Sequence, residues 1–407
     1  MKERAQRAIA ECRRIATMSE QPDRTTRRFL TRPVREVHKL LRGRMEALGM
    51  SASVDAVGNL RGLWQPLNAS GKRLIIGSHI DTVPNAGAFD GILGVTLALE
   101  CAEIAQELKL PLPIEIIAFS EEEGVRFGVP FIGSRTVAGW FDTALLKLKD
   151  AEGLTLEAAI RAFGLDPAEI GKAAIGDDAL GFFEIHIEQG PILDVEGLQV
   201  AAVTSILGQT RHTLTWNGHA NHAGTTPMHL RRDALAGAAE WMISVESIAQ
   251  RTKGLVATVG HVDVEPNAAN VIAGAVRVSL DVRHANDPAR KTAVEALLAQ
   301  AETIAARRGL VLRCTRQMDH PAVPMDERLT AFIAEAIEAT GLPAKRMPSG
   351  AGHDAMVMAA RVPTAMLFLR SPGGISHHPD ETVLEEDVTA ALDVCERFLQ
   401  RLAAEVG

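Results

Sequence analysis

The chain has 407 residues, 46% of them hydrophobic and 23% charged, and a formal net charge of −8. That balance excludes the basic excess of a nucleic-acid binder and the polybasic surface of a protein held on anionic lipid. No apolar run reaches the length of a membrane span, and the length exceeds what one hydrophobic core usually serves, so two domains are expected.

Residues 1 to about 50 read as helical, with loop signals at Gln21-Pro22-Asp23. Lys2, Arg4, Arg7, Arg13 and Arg14 are not followed by an apolar core with a small-residue cleavage site, so this stretch reads as an amphipathic helix and not as a targeting signal. From Leu74 to about Leu193 the texture is α/β. Leu74–Ile80, Ile114–Phe119 and Phe182–Ile187 are short apolar strands, and Gly91–Leu108 is a helix between two of them. Such runs separated by helices predict a mostly parallel buried sheet.

Near residue 207 the pattern changes. Thr210–Trp216 and Ala275–Val282 alternate apolar and polar residues, which suits a sheet with one wet face, and Val311–Thr315 is a further strand. Leu230–Gln250 and Asp287–Arg308 are helices. After Pro321 the α/β texture returns, with helix Glu327–Thr340, strand Thr364–Leu369 and a closing helix Glu385–Ala404. The expected organisation is a catalytic domain in two parts, 1–206 and 320–407, interrupted by an inserted α+β domain, 207–319. Cys12, Cys101, Cys314 and Cys395 form no CxxC pair and read as reduced, buried thiols of a cytoplasmic protein. Tyrosine is absent, so no tyrosine serves as acid or oxyanion donor.

Chemistry concentrates at predicted strand ends. GSHIDTVPNAGAFDG places His79 at the carboxyl end of a strand and Asp90 just before a helix, where α/β sheets position ligands. FSEEEGVRFG puts Glu121, Glu122 and Glu123 just past the strand ending at Phe119. EIHIEQG puts His186 at the end of another, and GGISHHPDE carries His377 and His378 after the last. Three successive carboxylates repel one another unless cations lie nearby. Imidazole and carboxylate donors without cysteine suit Zn²⁺ or Mn²⁺. Asp81, two residues after His79 in extended chain, points the same way and is placed to accept the other imidazole N–H.

The strings GSHIDTV, AFDG, EEEGVRFG, HIEQGPIL, NHAGTTPM, NVIAG, SGAGHDA and GISHHP together resemble the allantoate amidohydrolase and N-carbamoyl-L-amino-acid hydrolase family, a branch of the dinuclear aminoacylase and carboxypeptidase superfamily. The resemblance runs from about residue 50 to the end. It implies a mostly parallel-sheet α/β metallo-hydrolase domain with an inserted ferredoxin-like α+β lid and dimerisation domain. It also implies two divalent ions per subunit, with Asp90 bridging them, His79 and His377 as end ligands, and Glu123 and His186 completing the set. His378 is the alternative to His377. A register of more distant peptidases would move the two glutamate roles to Glu121 and Glu122.

On the same resemblance Glu122 is the general base, and His222 of the inserted domain stabilises the oxyanion. Gln189, Asn270, Arg283 and Gly352 contact the substrate, Arg283 as a carboxylate clamp. Arg211 adds a cation near the mouth of the site. The sequence departs from the family's usual glycine pair in having Ala86-Gly87, which would cost about 1 kcal/mol if Ala86 needed positive φ. The implied activity is hydrolysis of a ureido C–N bond. GQTR, NHAGTTPM and SGAGHDA lean to allantoate, ahead of N-carbamoyl-L-amino acids, N-carbamoyl-β-alanine or ureidoglycolate. An aminoacylase or dipeptidase, or a non-catalytic scaffold, ranks lower. The implied partners are a small ureido acid and a second copy of the chain joined through the inserted domain.

Overall fold

The computed structural model describes residues 1–67, 69 and 71–406. They form two compact units, Met1–Thr204 with Pro324–Gly407, and Ser205–Val323.

The first unit is built on a mixed sheet whose centre is parallel. Ile114–Phe119, Arg73–His79, Ala179–Ile187 and Thr364–Leu369 lie side by side in that order, every neighbouring pair parallel. Leu60–Trp64 and then Ser51–Val54 extend one side antiparallel, and Val200–Ile206 flanks the other. Ile114–Phe119 and Thr364–Leu369 are buried at every residue, which is why they read as continuous apolar runs. Helix Ile92–Glu107 packs on the sheet beneath Lys2–Ala16 and Glu385–Val406. It is covered on nearly all sides, and its first half, Ile92–Leu99, is accordingly apolar but for Thr96. The N-terminal basic residues face acids: Arg4 and Arg7 both pair with the buried Glu100. All parallel strands therefore deliver their carboxyl ends to one edge, where the strand ends carry His79 and His186 and a following loop carries Glu121–Glu123.

The second unit has a β-α-β-β-β-α-β succession. Its sheet order is Val311–His320, Gly208–Asn217, Ala275–His284, with Val256–Thr258 and Val262–Glu265 both pairing with the last; all pairs are antiparallel. Helices Ala234–Arg251 and Asp287–Arg307 begin at Asp233 and Asn286, whose side chains accept from Ala236 N–H and Ala289 N–H. Trp216, Trp241, Leu280 and Leu297 fill the core, and the Trp241 indole N–H donates to the Leu297 carbonyl at 2.9 Å.

One expectation needs correction. Cys314 is exposed, because its strand lies at the sheet edge, while the other three cysteines are buried. Ala86 does not take positive φ; Asn85 does, at 57°, and Ala86 N–H donates to Thr25. The turn thus places its left-handed residue at asparagine, which tolerates it. Among the described residues no helix is long and apolar enough to cross a membrane.

Candidate metal centre

His79 and His186 lie at the ends of strands, Asp90 just before a helix, and Glu123 and His377 in the loops that follow strands. His79 is the last residue of its strand, and its Nδ1 lies 3.0 Å from the Asp81 carbonyl. His186 is similar, its Nδ1 2.9 Å from the Ile187 carbonyl. With Nδ1–H donated to backbone, both rings present Nε2 as a lone-pair donor. The two Nε2 atoms are 3.5 Å apart and lie 3.7 and 3.3 Å from Asp90 Oδ1. On the other side of the same carboxylate, His377 Nε2 lies 3.2 Å from Asp90 Oδ2 and 3.5 Å from Glu123 Oε1.

Asp90 thus divides two donor sets, His79 with His186 and Glu123 with His377. In each set the donor atoms, with one from Asp90, lie within 4.8 Å of one another; His79, Glu122 and Glu123 form a third such group. Gly91 makes the arrangement possible. A Cβ there would sit 2.5 Å from the His79 ring, and the residue has φ 68°.

The electrostatics follow from burial and pairing. Burial drives the Asp90 carboxyl up, but hydrogen bonds with His186, His377 and His79 outweigh it and hold the group well below the usual carboxylate range. Burial opposes protonation of His79, yet Asp81 and Asp90 raise it well above an ordinary imidazole. Burial, offset by His79 and reinforced by Glu123, pushes Glu122 well above the ordinary range. Burial likewise lifts Glu123 to about 7 and Glu121 to about 8. Packing this many acids together is the signature of a site that expects positive charge.

The three glutamates differ in direction. Glu122 and Glu123 join the donor groups, while Glu121, with φ 51°, accepts from Arg126 N–H through Oε1. His377 faces Asp90, while His378 Nδ1 accepts from Asp380 N–H at 3.2 Å. Asp81 corrects the reading of its role. Its carboxylate is 3.6 Å from His79 Nδ1, and its two oxygens instead accept the N–H groups of Glu122 and Glu123, each at 3.0 Å. The histidine is oriented by Asp81's backbone, and the side chain holds the glutamate loop.

Gln189 has φ 58°; its Nε2 donates to Asp90 Oδ2 at 3.1 Å and lies 3.4 Å from His377 Nε2. Gly352 is exposed in the loop beside Phe131. His353, next to it, stacks edge-on against His186 and sits 3.0 Å from the Ser349 hydroxyl. In the second unit, His222 and Asn270 are exposed and lie on adjoining loops: His222 bridges to Val271, and Ala223 N–H donates to the Asn270 carbonyl. The guanidinium of Arg283 pairs with Asp281 at 2.9 Å, and so does that of Arg211 at 2.8 Å. Arg211 is therefore a partner of Asp281.

Sequence reasoning missed Glu381, which accepts from Phe89 N–H and Asp90 N–H, and Glu184, which accepts from the Ser78 hydroxyl and Ala355 N–H. Only the proximity of Glu381 to His377 in the chain hinted at the first.

The peptidase family M20/M25/M40 matches residues 75–401. The chain belongs to this family. Among curated relatives, an allantoate deiminase of Arabidopsis thaliana is 36% identical over 94% of this chain and 80% of its own length. An N-carbamoyl-L-amino acid amidohydrolase of Geobacillus stearothermophilus is 37% identical over 93% of each. A solved amidase of the hydantoinase/carbamoylase family from Burkholderia multivorans superposes with a TM-score of 0.92 at 32% identity, covering 98% of this chain and 97% of that one. Hydrolases of the M20/M25/M40 family are metal-dependent, and the donor set fits such a group, being all imidazole and carboxylate within one small volume.

Proposed function

We propose that this M20/M25/M40 hydrolase cleaves the ureido C–N bond of allantoate with two divalent ions, releasing ammonia and carbon dioxide. The observation that carries the reading is the Asp90 carboxylate, whose two oxygens face two separate donor sets. His79, His186 and Asp90 would hold one ion; Asp90, Glu123 and His377 would hold the other, zinc or manganese in each case. When bound, the ions make a water acidic and polarise the carbonyl under attack.

Glu122, unlike its neighbour, is left to move protons: it takes one from the attacking water and returns it to the leaving nitrogen. Its burial favours the protonated form needed for the second step. Gln189 and the Gly352 backbone hold the substrate from the first unit. His222 donates to the oxyanion, Asn270 adds a polar contact, and Arg283, steadied by Asp281, takes the substrate carboxylate. Homodimerisation through the 205–323 unit and residence in the cytoplasm, where free thiols persist, belong to the same proposal.

N-carbamoyl-L-amino acids are the second reading, favoured by the Geobacillus relative. The test is hydrolysis by the purified chain with Mn²⁺ or Zn²⁺, read as ammonia from allantoate, N-carbamoyl-L-amino acids and N-carbamoyl-β-alanine and as free amino acids from dipeptides, side by side. Fastest turnover of allantoate is expected. Preferred cleavage of dipeptides, or no ammonia from any ureido acid, would overturn the proposal.

A further inference from the structure

We propose that Glu381 is a positioning residue for Asp90, and that Gly87 lacks a side chain so that Glu381 can reach it. The inference rests on the reading of Asp90 and His377 as ligands of one ion pair. Glu381 is 4% exposed and lies in the loop that bears His377. Its Oε1 accepts from Phe89 N–H and Asp90 N–H, each at 3.0 Å, across 292 and 291 residues of chain. Its Oε2 takes the Ser376 hydroxyl at 3.4 Å, and its own N–H donates to the His378 carbonyl. One side chain therefore fastens the Asp90 loop to the His377 loop.

Gly87 supplies a second observation. A Cβ there would meet Glu381 Cβ at 2.4 Å and Oε1 at 2.5 Å, well inside contact. Gly87 is not among the residues with positive φ, so the position needs the absence of a side chain and not unusual backbone freedom. The glycine-containing turn is thereby explained by an acid almost three hundred residues away.

The physical role follows from what a bridging carboxylate requires. Oδ1 faces His79 and His186 and Oδ2 faces His377, so a rotation about Cα–Cβ would serve one donor set at the expense of the other. Hydrogen bonds to two successive amides fix the backbone from which that side chain projects. Asp81 does the same for the Glu122 and Glu123 amides, so the two ligand loops are held by the same device. A residue that only anchors the fold would change stability and leave ion affinity alone.

Because both amides converge on Oε1, glutamine at 381 keeps the acceptor and alanine does not. The experiment is Mn²⁺ binding to the full-length chain by calorimetry and equilibrium dialysis. It compares wild type, Glu381→Ala, Glu381→Gln, Gly87→Ala and the double variant Glu381→Ala/Gly87→Ala, with circular dichroism confirming the fold. Glu381→Ala is expected to lose about 10- to 100-fold in affinity for at least one ion. Glu381→Gln should stay within about threefold of wild type, since the two amide bonds remain. Gly87→Ala should reproduce the alanine defect, and the double variant should lose no more than the worse single, as residues sharing one interaction do. If Glu381→Ala does not fold, Gly87→Ala and Glu381→Gln carry the test. Two ions bound by Glu381→Ala or by Gly87→Ala as tightly as by wild type would overturn the inference, as would a Glu381→Gln variant whose affinity falls 10-fold or more. A wild-type chain that binds fewer than two ions would instead sink the dinuclear reading, and this inference with it.

Discussion

In the first unit three of the proposed ligands are shut away: His79, Asp90 and His186 are 1–3% exposed and held by hydrogen bonds to backbone, to Glu381 or to one another, while His377 is exposed. In the second unit His222 and Asn270 stand on exposed loops, held by hydrogen bonds within and between those loops, and Arg283 is held by an acid two residues away on its own strand. Burying charge is costly unless it is paired, so the first arrangement exists only because its acids and imidazoles complete one another. The second is cheap to alter. Changes to the first should therefore disturb fold and ion binding together unless they preserve shape, whereas changes to the second should alter kcat or KM and leave fold and ion binding alone.

The sharpest separation comes from Glu122→Gln, which keeps the shape of the side chain and removes its proton chemistry. Turnover should fall by roughly 10²–10⁴ while the metal content of the purified protein is unchanged. A variant that retains turnover would move the base elsewhere. Next is His222→Ala, expected to lower kcat by about 10²–10³ with the thermal midpoint unmoved. A fall in stability there would erase the contrast between the units.

A third prediction isolates burial from ion binding. Burial, assisted by Arg42, pushes His38 down to about 4. The unfolded chain, with an ordinary imidazole near 6.5, takes up its proton first as pH falls. The stability this residue contributes is thus full above about pH 6.5 and declines towards pH 4, by about 3 kcal/mol in all. Urea unfolding from pH 4.5 to 8 should show that slope in wild type and a flatter one in His38→Leu; parallel curves would remove His38 as the cause. The smallest effect is expected from Arg283→Lys, which loses the planar fork that engages carboxylates. KM should rise about tenfold with kcat and stability little changed, measured by initial rates on a ureido acid.

Long, strongly patterned elements were legible in the sequence. Ile114–Phe119 and Thr364–Leu369 fall where their apolar runs begin and end, and the helix read as Gly91–Leu108 spans Ile92–Glu107. Ser51–Val54 and Leu60–Trp64 escaped notice because they are short and partly exposed, with Gly62 inside the second. Val311–His320 was read too short because edge exposure removes its alternation. In the site, the proposed donors announced themselves by lying at strand ends, before a helix or in the loops that follow strands. Their supports did not, because the support is a tertiary hydrogen bond: nothing local says that Glu381 meets the amides of 89 and 90, or that the Asp81 side chain serves the glutamate loop while its backbone serves His79.

The central claim is that Asp90 stands between two ions. Crystals grown with excess manganese, measured for anomalous scattering at the manganese edge, test it most directly. The account expects two peaks, one among His79, His186 and Asp90 and one among Asp90, Glu123 and His377. A single peak, or manganese bound away from Asp90, would contradict it.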